Sequence, residues 1–81
     1  MEIKSFYKNQ RELAETLSKV IDKYWSSEIP ENEMIDTVIR IVENNKSKVF
    51  TDNTGEFTTV LRQQCGKRRL EVVSKILHNK G

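Results

Sequence analysis

The apolar pattern of residues 57–77 breaks phase at Gly66, and that break limits the folds open to this chain. Before it, Phe57, Val60, Leu61 and Cys65 recur at helical spacing. After it, Leu70, Val72, Val73, Ile76 and Leu77 do so again. With a helix turning about 100° per residue, the two apolar centres lie about 130° apart. One straight helix would point those faces in different directions. A bend at glycine, which tolerates unusual backbone angles, lets both face one core. The pattern therefore predicts two short helices, near residues 56–65 and 67–78, forming a corner at Gly66.

Two longer amphipathic segments precede the corner. Leu13, Ala14, Leu17, Val20, Ile21, Tyr24 and Trp25 share one stripe about 140° wide. Asn9 and Glu12 form an N-terminal capping pair, with the Asn9 side chain accepting from the third amide of the helix. Ile3, Phe6, Tyr7 and Gln10 project onto the same stripe, so a start nearer Ile3 or Ser5 stays open. Trp25 ends this helix, and Ser26-Ser27-Glu28 begin a turn. Pro30 then suits the first turn of a second helix, because it lacks an N–H and fixes its own φ. Glu31, Glu33 and Asp36 favour that N-terminus electrostatically. Met34, Ile35, Val38, Ile39, Ile41 and Val42 give this helix a stripe about 160° wide, running to about Glu43. A short turn makes the two helices an antiparallel pair. Residues 46–56 form the longest connection, anchored by Val49 and Phe50. A strand at 49–51 would need a partner, which a dimer mate could supply. Asp52-Asn53-Thr54-Gly55 is turn chemistry. The expected fold is all-α: one small four-helix domain over residues 1–81, with an antiparallel first pair and the last two short helices at the Gly66 corner.

Composition narrows the function. At 81 residues, with 36% apolar and 32% charged residues, a monomeric core is lean. Cys65 is the sole cysteine, so neither an intrachain disulfide nor a paired-cysteine metal site is expected. No apolar leader follows Met1, and no stretch reaches the roughly 20 apolar residues of a membrane span. A free thiol without an export signal fits a reducing compartment, so the expectation is cytoplasmic, with no membrane partner. The net charge of +2 hides an asymmetry. Residues 1–57 carry eight Lys/Arg and eleven Asp/Glu, a balance of −3; residues 58–81 carry six and one, a balance of +5. The near-cancellation favours acidic and basic parts packing together, within one chain or across a dimer, over an anionic partner.

The chemical motifs are weak. Lys67, Arg68 and Arg69 sit in the first turn of a helix, where cations oppose the macrodipole. A counter-charge is expected, either from Glu28, Glu31, Glu33 and Asp36 or from phosphate. Two helices about a glycine turn invite comparison with helix-turn-helix DNA readers. Against this, Arg62 stands where such motifs need a small residue, and no small hydroxyl residue follows the glycine as a cap. No aromatic residue is interleaved with the basic ones after Arg62, which disfavours single-strand binding. Cys65 falls on the apolar side at a helix C-terminus, where the dipole disfavours a thiolate, so it reads as a core residue. A Cys65–His78 pair lacks an orienting acid. Asp52-Asn53-Thr54-Gly55-Glu56 shares letters with phosphorylated-aspartate and acid-protease motifs but matches the spacing of neither. Tyr24-Trp25 either caps the core or anchors an interface, and the small size favours the core.

Three blocks together resemble a family of short, uncharacterised bacterial proteins: Phe6-Tyr7-Lys8-Asn9-Gln10-Arg11-Glu12-Leu13-Ala14, the Tyr24-Trp25 pair, and Gln64-Cys65-Gly66-Lys67-Arg68-Arg69-Leu70 with Val73 and Ile76-Leu77. The resemblance covers most of the chain. It implies no activity and carries over no functional residues.

The expectation is thus a non-enzymatic protein-interaction or regulatory module, a homodimer, with no cofactor, no metal and no catalytic residues. The wide apolar stripes and complementary charge halves motivate the dimer. The alternative is a nucleic-acid-binding protein using the basic corner. The contact residues for an anion or a partner are Arg62, Lys67, Arg68, Arg69 and Lys75.

Overall fold

The computed structural model describes residues 7–51 and 56–80. Four helices follow one another: α1 (Gln10–Trp25), α2 (Glu31–Asn44), α3 (Lys46–Val49) and α4 (Thr59–Lys80). The all-α fold has α1 at its centre, packed against both α2 and α4. Leu13, Ala14, Leu17, Val20 and Ile21 of α1 are fully buried among Val38, Ile41, Leu61, Cys65 and Val73.

Local chemistry sets the ends of α1. The Asn9 side chain accepts from the Glu12 N–H at 2.8 Å, satisfying one of the orphan amides of the first turn. Residues 7–9 are not helical, so α1 does not run back through them; Ile3, Ser5 and Phe6 lie outside the described residues. The Tyr7 N–H is instead held by Asn45 at 3.3 Å. At the other end the chain turns left-handed at Ser27, with φ 64°. The Ser27 N–H reaches the Tyr24 carbonyl at 3.1 Å, and the Glu28 N–H reaches Lys23 at 2.8 Å. This is the paired closure that usually recruits glycine, here made with a serine.

Pro30 stands just before α2 with extended backbone (φ −75°, ψ 162°), and its carbonyl accepts from the Met34 N–H at 3.1 Å. The expected long connection is more ordered than its composition suggests. Asn45 is buried; its amide donates to the Ile41 carbonyl at 2.8 Å while its Oδ1 accepts from Tyr7. Its own carbonyl accepts from Lys48 and Val49, which starts the single turn of α3. The extended piece after α3 finds its partner inside the chain. Phe50 and Phe57 form an antiparallel bridge, and their rings stack at 5.3 Å. The Asp52-Asn53-Thr54-Gly55 turn lies outside the described residues.

Helix α4 starts at Thr59, because Thr58 acts as its cap. The Thr58 hydroxyl accepts from the Leu61 N–H at 3.4 Å, and its carbonyl accepts from the Arg62 N–H at 3.1 Å. The corner is at Gly66, where φ is 81° and ψ 168°. Side chains other than glycine essentially never occupy that region. The two arms, residues 59–65 and 67–80, thereby turn Leu61 and Cys65 and then Val73 and Ile76 toward the same core.

A candidate interaction face at the Gly66 corner

The Gly66 turn brings the start of the second arm against the end of the first. Arg69, in the first turn of the second arm, reaches back and donates from Nη1 to the Cys65 carbonyl at 2.9 Å. A cation that opposes its own helix dipole thus sits on the negative end of the preceding arm, where it is favourable. Its other nitrogens grip Asp22 of α1: Nε to Oδ1 at 3.0 Å and Nη2 to Oδ2 at 3.0 Å. The guanidinium lies 5.8 Å from the centre of the Trp25 ring. Among the described residues, then, the counter-charge for this cation is Asp22 of α1 and not an acidic residue of α2.

The other basic residues differ. Arg62 bonds Glu56 at 3.1 Å across an exposed pair. Lys67, Arg68 and Lys75 are exposed and make no ion pair among the described residues. Arg62 and Lys67 line a cleft of about 460 Å³ inside the corner, with Phe57, Leu70, Glu71 and Ser74. Glu71 in the lining and Glu56 on Arg62 offset those two cations. Lys75 stands elsewhere, on a second groove of about 380 Å³ between α2 and the second arm. Glu31, Ile35 and Ile39 form its α2 side, and Val72, Lys75 and Ile76 its α4 side. The structure therefore does not gather Arg62, Lys67, Arg68, Arg69 and Lys75 into one cluster.

Sequence reasoning missed the groove between α2 and α4. The helical period turns Ile35, Ile39 and Val72 inward, yet each stays partly exposed beside it. The signal was present in the stripe width on α2: about 160° of apolar surface exceeds what one neighbouring helix covers. The period turns Trp25 inward as well. It is 48% exposed and covered on one side by Arg69, while Tyr24 packs against the core.

Cys65 is 1% exposed and donates its S–H to the Ala14 carbonyl at 3.4 Å. Burial pushes its pKa up; the adjacent Ser18 side chain and the Arg69 charge oppose that less strongly. The thiol is therefore held neutral inside the core, while His78 is exposed. No group of three or more His, Cys, Asp or Glu side chains among the described residues could hold a metal ion. Nor is any helix among them long and apolar enough to cross a membrane.

No significant match occurs among curated proteins or among solved structures. A family model, in contrast, matches residues 4–78, nearly the whole chain and all three blocks on which the resemblance rests. The chain belongs to the family described as "Conserved hypothetical protein".

Proposed function

We propose that the protein is a non-enzymatic interaction module that works as a homodimer in the cytoplasm. One observation carries this reading: the folded chain leaves Ile35, Ile39 and Val72 partly exposed along a groove between an acidic helix and a basic one. Helix α2 carries Glu31, Glu33, Asp36 and Glu43 against Arg40. Helix α4 carries Arg62, Lys67, Arg68, Arg69, Lys75 and Lys80 against Glu71. Apolar surface flanked by opposite charges favours a specific protein contact over a solvated face. The buried, neutral Cys65 thiol supports a structural role for the one nucleophile the sequence singled out. Sedimentation equilibrium from about 10 µM to about 0.5 mM checks the dimer. A single species of monomer mass over that whole range refutes it.

A second reading, binding to nucleic acid, is favoured by one feature: Lys67 and Arg68 are exposed and unpaired among the described residues. It predicts affinity for duplex or single strands that falls steeply with salt and weakens on K67A/R68A. Absence of binding at low salt would end it.

A further inference from the structure

We infer that the Gly66 corner is a latched hinge: released, α4 straightens into one helix and exchanges its second arm, residues 67–80, with that of a second copy of this chain. Gly66 stands at φ 81° and ψ 168°, so the bend, and not a helix, requires glycine at this place. Lys67, Arg68 and Arg69 fill the first turn of the second arm, against its dipole. In an unbroken helix from Thr59 to Lys80 the same three residues lie well inside both ends, where the dipole effect has faded. The latch is Arg69, whose guanidinium donates to the Cys65 carbonyl at 2.9 Å. In a continuous α-helix that carbonyl accepts from the N–H four residues on, which is the N–H of Arg69 itself. One residue thus has two donors for the same carbonyl: its side chain in the bent form and its backbone in the straight one.

A single chain cannot complete the straightening alone. The apolar centres of the two arms lie about 130° apart on a straight helix, so both cannot face one core. The first arm keeps Leu61 and Cys65 in its own core; Leu70, Val73 and Ile76 of the second, all buried in the bent form, then lose their cover. At roughly 1.5 Å per residue the second arm reaches about 20 Å past Gly66, close to the 21 Å short dimension of the folded chain, so it clears its own body. The surface shaped to cover those side chains again is the seat the arm vacated, and every copy has one. Two copies that trade arms refill both seats, which closes the assembly at two chains. Asp22 of each copy then meets Arg69 of the other, in place of the pair at 3.0 Å within one chain. This goes beyond the homodimer reading above: exchange uses the seat in the core and leaves the α2–α4 groove open, so either can fail without the other.

Reversing charge on either side of the pair tests the exchange. D22K and R69E each set like charges together in the bent chain and should lower its stability. Mixed in equal amounts, unfolded in urea and refolded together, they should form a heterodimer, resolved by native mass spectrometry, in which both seats hold opposite charges. Its urea midpoint should recover most of the loss seen in each variant refolded alone. Gly66→Ala gives an independent readout. Alanine favours the straight helix and disfavours φ 81°, so by sedimentation this variant should dimerise at a concentration at least about tenfold below that of wild type. A mixture that forms no heterodimer, or forms one without recovery of the midpoint, overturns the exchange; a wild-type dimer in that case leaves the homodimer reading standing. A G66A variant that dimerises no more readily than wild type overturns the hinge by itself. A wild type that stays monomeric removes the homodimer reading, while recovery in the mixture and the shift in G66A still establish the hinge.

Discussion

Arg69 is a brace between α1 and both arms of the corner, and its removal has a cost that can be built up from its contacts. The Asp22 pair has bidentate geometry, but the two side chains are 31% and 49% exposed, so solvent screens it. A contribution of about 1 kcal/mol is appropriate for such a pair. The bond to the Cys65 carbonyl adds about 1 kcal/mol, since that oxygen is part-buried and loses its donor. The Trp25 contact adds about 0.5 kcal/mol. Arg69→Ala should therefore destabilise the protein by about 2–2.5 kcal/mol. For a domain of this size that lowers the melting temperature by roughly 10–15 °C. Arg69→Lys retains the charge but not the fork, and should recover less than half of the loss. The assay is urea unfolding followed by circular dichroism, for Arg69→Ala, Asp22→Ala and the double variant. The cycle should return a coupling of about 1 kcal/mol, shrinking in high salt, while the remaining loss on Arg69→Ala is insensitive to Asp22. A total cost under about 0.5 kcal/mol, or a coupling near zero, would falsify the brace.

Two backbone positions predict opposite signs. Gly66→Ala meets no atom within 4 Å, so it adds no clash, yet φ 81° with ψ 168° should cost about 1–3 kcal/mol in the same unfolding assay. Ser27→Gly relieves the left-handed turn at φ 64° and should stabilise by about 0.5–1 kcal/mol; a loss of stability would contradict the turn as described. The Cys65 thiol predicts a pH dependence. Burial holds its pKa in the fold above the ordinary value of 9.0, so its contribution is complete below that ordinary value and is lost as pH rises through the folded one. The stability difference between wild type and Cys65→Ala should be flat at neutral pH and fall in alkali. A difference that grows with pH would mean a stabilised thiolate.

The helices and the corner were legible because they depend on local information. The period of Leu13, Leu17, Val20 and Ile21 needs only a helix and one buried side to appear, and the phase jump at Gly66 needs only a change of direction. The single turn of α3 was not legible. It depends on Asn45, a polar residue in a polar run, being buried by a contact with Tyr7 from 38 positions away. Composition cannot signal a bond of that range. Trp25 fails for a related reason: period placed it on the apolar stripe, but the last turn of α1 leaves it 48% exposed, with the flat cation of Arg69 over its ring. The face of the candidate site was half legible. The width of the α2 stripe announced surplus apolar surface, whereas its position beside Val72 and Lys75 followed only from how the second arm docks.

The corner also shows why a run of basic residues is a poor unit for functional reading. Lys67, Arg68 and Arg69 are consecutive, yet helical geometry sends them in three directions. Arg69 turns inward to Asp22 and the Cys65 carbonyl. Lys67 borders the cleft with Phe57 and Glu71. Arg68 lies seven positions before Lys75, on the same face of the arm. Of these cations Lys75 lines the α2–α4 groove, and Arg68 and Lys75 are two of the exposed cations on which nucleic-acid binding would draw. With Arg69 committed internally and Arg62 paired to Glu56, few cations remain for phosphate. Electrostatic affinity scales with the number of phosphates neutralised, so the small number of unpaired cations weakens that reading. The partly exposed Ile35, Ile39 and Val72 of the α2–α4 groove do not depend on that count, so the interaction reading proposed above keeps its basis.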